Sequence, residues 1–131
     1  MTRLFLAIAA ILGGLAVAAG AFASHALKEK LTERSLEIFE TGARYQMYHA
    51  LALLLVGLLC SSGFQTFSSE SPPSTLVAAG IAFIVGIIVF SGSLYALSLT
   101  NIKWLGAITP VGGVAFMVGW GCLAIAAWNF K

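Results

Sequence analysis

Residues 4–27, 45–69, 71–102 and 104–130 contain no Asp, Glu, Lys or Arg, and these four runs make up most of the 131-residue chain. Each reaches or exceeds the roughly 20 residues that a helix needs to cross a hydrocarbon core about 30 Å thick. Charged residues are 9% of the chain and hydrophobic ones 60%, whereas charged residues are about a quarter of a soluble domain. A globule of this size would have too little polar surface to cover itself, so lipid must do the covering. The expectation is an all-α integral membrane protein with one domain over 1–131. Its four transmembrane helices, at about 4–26, 45–64, 76–99 and 104–128, would form an up-and-down bundle. The net charge of +2, with basic residues scattered among glutamates, argues against a nucleic-acid surface or a polybasic lipid patch.

The first run follows Arg3 and contains Ala21-Phe22-Ala23-Ser24, the small-x-small form of a signal-peptidase site. It is longer than the about 7 to 15 apolar residues of a signal core. Ala9, Gly13, Ala16, Gly20 and Ser24 also recur at helix-packing spacing, so retention as a helix lying against a partner helix is expected. Residues 28–44 are the main polar connection. Thr32 suits a helix N-cap, and Glu33 and Glu37 follow where the helix dipole favours negative charge. Glu33, Glu37, Glu40 and Arg44 share one stripe, with Glu40 and Arg44 placed to form an interfacial ion pair at i and i+4. Ile38, Gly42, Tyr45 and His49, with Gln46 beside them, form the face expected to turn into the bundle. No breaker follows, so this amphipathic cytoplasmic helix should lead straight into helix 2.

The segment 61–75, rich in serine around Ser68 and holding Glu70, Pro72 and Pro73, reads as a linker. Helix 3 carries Gly80, Gly86 and Gly92, and a polar stripe of Ser91, Tyr95 and Ser98. Residues 100–103 form a tight turn. Trp104 and Trp128 stand where interfacial aromatic belts would place them, and Pro110, followed by Gly112 and Gly113, predicts a kink in helix 4. Loops 28–44 and 100–103 hold Lys28, Lys30, Arg34, Arg44 and Lys103, against Arg3 and Lys131 on the other side. By the positive-inside rule both loops are expected in the cytoplasm and both termini outside.

Four ordered strings carry a resemblance that extends over nearly the whole chain: GAFASHAL at 20–27, RYQMYHAL at 44–51, FSGSLY at 90–95 and TPVGG at 109–113. Together they resemble the YgdD/YwdK-like family of small bacterial inner-membrane proteins, which has a distant eukaryotic transmembrane relative. The resemblance implies a four-span protein of the inner (plasma) membrane. The family's function is uncharacterised, so it supplies no catalytic or binding residues.

An up-and-down bundle collects His25, Tyr45, Gln46, His49, Ser91, Tyr95, Ser98 and Thr109 in one leaflet, whichever way the protein inserts. Polar groups inside a membrane are costly and often functional. They also hold bundles together through hydrogen bonds of around 0.6 kcal/mol each, and a structural network is the favoured reading. His25 and His49 suggest axial haem or metal ligation, but a closed zinc site needs four ligands and both cysteines lie toward the other leaflet. Cys60 and Cys122 permit a disulfide if helices 2 and 4 touch; buried free thiols are favoured. No nucleophile elbow, metalloprotease motif, phosphate loop or aspartate is present. The sequence therefore favours a non-enzymatic protein without cofactor, surrounded by the lipid bilayer, that packs with itself or with a larger membrane partner. A small proton- or solute-coupled transporter or channel is the alternative, and a haem or metal protein using His25 and His49 the second.

Overall fold

Helices follow the uncharged runs and absorb most of the charged connection as well. The structure, a computed structural model, describes residues 1–61 and 73–129. Helix α1 spans Thr2–Leu27, its last stretch Ala23–Leu27 widened into a π-helical turn. Helix α2 spans Glu33–Leu59, α3 Ser74–Thr100 with a second π turn at Ile87–Ser91, and α4 Leu105–Trp128. Among the described residues there is no strand.

The helix ends form for local reasons. Thr32 Oγ1 accepts from the Ser35 amide at 3.2 Å and supplies the expected N-cap. Asn101 takes a left-handed φ of 58°, ends α3 and donates its amide to the Leu97 carbonyl at 2.8 Å. Pro73 precedes α3, and α4 continues without a break through Pro110.

Three helices, α1, α3 and α4, are long and apolar enough to cross a membrane. Helix α2 is different because its first half is charged and Tyr45, Gln46, Tyr48 and His49 open its apolar half. The end of helix 2 expected at 62–64 lies outside the described residues, as do Ser68, Glu70 and Pro72 of the linker, and Lys131.

Helix α2 is the centre of the packing. Phe39, Gly42, Gln46, His49, Leu53 and Val56, then Cys60 just past its end, are buried at alternating spacings of three and four residues, the period of one helix face. Tyr45, expected on that face, falls beside it and is 40% exposed. Leu53, Val56 and Cys60 join Phe5 and Ala9 of α1, Leu76, Ala79, Phe83 and Ile87 of α3, and Phe116, Leu123 and Ala126 of α4 in the larger apolar core. A smaller core of Ala23, Leu27 and Phe39 closes the other end of the bundle.

No described glycine has a positive φ, so glycine serves this fold through missing volume rather than turn geometry. Helices α3 and α4 run antiparallel with Phe83 over Gly119, Phe116 over Gly86, and Gly112 against the backbone of Phe90. A Cβ on Gly119 would lie 2.6 Å from Phe83, and one on Gly80 would lie 2.6 Å from Phe5 of α1. By contrast Gly13, Gly14 and Gly20 of α1 would meet nothing within 4 Å. Of the small-residue stripe expected to pack α1, Ala9 and Ala16 are buried, and Gly13 and Gly20 face open space.

Candidate functional site

Antiparallel helices bring the end of α1, the start of the apolar part of α2, the end of α3 and the start of α4 to one level. Side chains with donors and acceptors at that level must satisfy each other, because lipid offers no partner. They do so in separate groups rather than around one space.

Gln46 is 5% exposed and bridges three helices. Its Nε2 donates to the Leu12 carbonyl of α1 at 2.8 Å, and its Oε1 accepts from the Tyr95 hydroxyl of α3 at 2.9 Å. Ser91 donates to the Gly42 carbonyl at 2.8 Å and Ser98 to the Ser35 carbonyl at 2.7 Å, so the α3 stripe is stitched to the backbone of α2. Thr109 of α4 meets Ser93 of α3 at 2.7 Å.

His49 forms the second group. Its Nδ1 lies 2.7 Å from the Tyr45 carbonyl and its Nε2 3.2 Å from the Trp120 indole nitrogen. A carbonyl only accepts and an indole N–H only donates. The proton is therefore on Nδ1, Nε2 is bare, and the ring is the neutral tautomer. Phe116 stacks on its face at 3.4 Å between centroids, and Phe83 tilts against it at 5.7 Å.

The remaining expected residues add no side-chain hydrogen bond to these groups. Tyr45 contributes its carbonyl to His49, and its partly exposed ring lies 4.8 Å from Phe90. His25 is exposed on the π turn of α1 and joins none of these hydrogen bonds. The ion pair expected between Glu40 and Arg44 is not formed: Arg44 Nη2 turns to Thr41 Oγ1 at 3.5 Å.

Three contributors escaped the sequence reading. Trp120 carried a signal, since an indole N–H far from the helix ends needs an acceptor and His49 is the buried side chain of suitable kind. Ser93 lies off the Ser91–Tyr95–Ser98 stripe and so faces α4 instead of α2. The Leu12 carbonyl carried none, because nothing in an apolar helix marks which backbone oxygen takes a second bond.

The donor set does not fit a haem or metal ion. Both His49 nitrogens are engaged, and among the described residues no three His, Cys, Asp or Glu side chains converge. Cys60 and Cys122 are free thiols. Two surface recesses flank α1. A groove of about 840 Å³ opens between α1 and α3, bordered by Leu12, Phe22, Phe39, Ile88, Gln46 and Tyr95, and is apolar almost throughout. A smaller recess of about 300 Å³ lies between α1 and α2, where Glu40 and Arg44 face Gly20 and Ser24.

The family model described as "Protein of unknown function (DUF423)" matches residues 19–113. The chain is 43% identical over 128 residues to a UPF0382 membrane protein of Staphylococcus aureus (strain bovine RF122 / ET3-1), covering 98% of each chain. It is 42% identical over 125 residues to the UPF0382 membrane protein YwdK of Bacillus subtilis (strain 168), covering 95% of this chain and 96% of that one. No solved structure matches.

Proposed function

The chain belongs to the DUF423 family, and we propose that it acts as a non-enzymatic packing or partner-binding protein of the inner membrane. One observation carries this reading: among the described residues, no buried side-chain nitrogen or oxygen lacks a hydrogen-bond partner. The buried polar groups that a transport pathway or catalytic centre would use are already spent on one another and on backbone carbonyls. Groups locked in this way brace a bundle and leave function to its outer surface.

In this proposal α2 is the fourth span, forming with α1, α3 and α4 a single up-and-down domain over 1–131. Its charged half, with loops 28–44 and 100–103, faces the cytoplasm and both termini face out. Helix α1 offers the contact surface, because Gly13 and Gly14 leave room for another backbone to approach. The partner is a second copy or a larger membrane protein.

The test is cross-linking of the full chain in native membranes, comparing wild type with Gly13→Leu and Gly14→Leu. Loss of the cross-linked species in either variant, with the monomer still folded, is the expected result. Unchanged assembly together with a growth or flux phenotype from His49→Ala would instead favour the transporter reading.

A further inference from the structure

We propose that the recess between α1 and α2 holds the headgroup of a zwitterionic phospholipid bearing a primary ammonium, with its phosphate at Arg44 and its ammonium at Glu40. The starting observation is that two opposite charges one helical turn apart line the same recess and are not paired with each other. Arg44 makes a single long contact to Thr41 and keeps the rest of its donor fork free for a phosphate, which it suits by geometry. Glu40 is half-buried at the recess wall, where an ammonium would find an acceptor. Ser24 donates its hydroxyl hydrogen to the Gly20 carbonyl at 3.0 Å, which leaves its oxygen lone pairs as further acceptors.

The recess is also graded along the membrane normal. Helices α1 and α2 run antiparallel there, so Ser24 lies by Glu40 at one end and Ala16 by Met47 at the other. Residues 45–69 carry no charge, which puts Glu40 and Arg44 at headgroup level and Met47 below it. Gly20 leaves the floor open, since a Cβ there meets nothing within 4 Å. Opposite charges above and an apolar channel below match a phospholipid with its headgroup up and an acyl chain down. A purely anionic headgroup would meet Glu40 as a like charge, and a quaternary ammonium has no N–H to give to Glu40 or Ser24. Gly13 lies two turns from Gly20 on the same stripe of α1, but neither it nor Gly14 lines the recess, and Glu40 and Arg44, which select the headgroup, belong to α2.

The experiment is native mass spectrometry of the full chain in detergent with equal amounts of phosphatidylethanolamine, phosphatidylcholine and phosphatidylglycerol of matched acyl chains. The wild type is expected to retain phosphatidylethanolamine over either competitor by about three- to fivefold, the scale of one partly exposed charge pair. Arg44→Gln should abolish the preference, and Glu40→Gln should turn it toward phosphatidylglycerol. Gly20→Leu projects a side chain into the recess from a position where a Cβ meets nothing within 4 Å, so it should remove retained lipid while thermal unfolding stays close to the wild-type value. Equal retention of the three lipids by the wild type, or a phosphatidylethanolamine preference that survives Glu40→Gln, overturns the proposal.

Discussion

The His49 imidazole lies flat on the Phe116 ring, with centroids 3.4 Å apart and planes 5° from parallel, while Trp120 donates to its Nε2. His49→Ala removes the stacked face and leaves the indole N–H without an acceptor in lipid. The expected loss is about 1–3 kcal/mol, read from unfolding in mixed micelles by tryptophan fluorescence. A double-mutant cycle with Trp120→Phe should give a coupling of about 0.6 kcal/mol. Additive single effects would mean that the indole contact contributes nothing.

Because both nitrogens of His49 are held, the protein should take up no haem. Material expressed with haem supplied is expected to purify without Soret absorption. A band that disappears on His49→Ala would show that the ring leaves Trp120 for iron.

Glycine substitutions should divide by what the new methyl meets. Gly112→Ala presses on the Phe90 backbone, which cannot rotate aside as a ring can, and should destabilise by about 1–3 kcal/mol. Gly121→Ala meets nothing within 4 Å and should stay within about 0.5 kcal/mol of wild type. Equal stability of the two variants would contradict the α3–α4 packing.

At the three-helix junction, Tyr95→Phe keeps the ring 4.7 Å from Phe39 and loses only the bond to Gln46. Its effect should be about 0.6 kcal/mol. Gln46→Leu also strips the bond to the Leu12 carbonyl, so it should be the more damaging, with α1 the helix that loosens. Cross-linking yield between α1 and α2 would report this directly.

Orientation is checked by single cysteines in a background lacking Cys60 and Cys122. A membrane-impermeant thiol reagent should label Arg3→Cys in intact cells and Lys103→Cys only after lysis. The reverse pattern would invert the proposed topology.

Much of the helical layout was legible because charge and its absence mark where lipid begins. The N-cap at Thr32 and the turn over 100–103 were legible as well, though the left-handed residue that makes the turn, Asn101, was not singled out. At the candidate site, Gln46 and His49 were found as buried polar residues at helix spacing, but their partners depend on how two helices are rotated against each other. That rotation is why Tyr45 lies outside the buried stripe and why Ser93 rather than Ser91 meets Thr109. The π turns at Ala23–Leu27 and Ile87–Ser91 left no mark in the sequence, since they change hydrogen-bond spacing and not residue type. His25 is conspicuous as one of only two histidines, yet it is exposed, because it follows the smaller core of Ala23 and Leu27 around the helix.

The alternation of phenylalanine and glycine between α3 and α4 works as a key that fits in one position. Sliding the hairpin by about one turn in one direction sets Phe90 opposite Phe116, and in the other direction sets Phe83 there. Either slip drives ring against ring and leaves glycines facing each other across a gap. Lipid tails are as apolar as the helices and give no preference among such alignments, so shape, together with the Ser93–Thr109 hydrogen bond, makes the pairing single-valued.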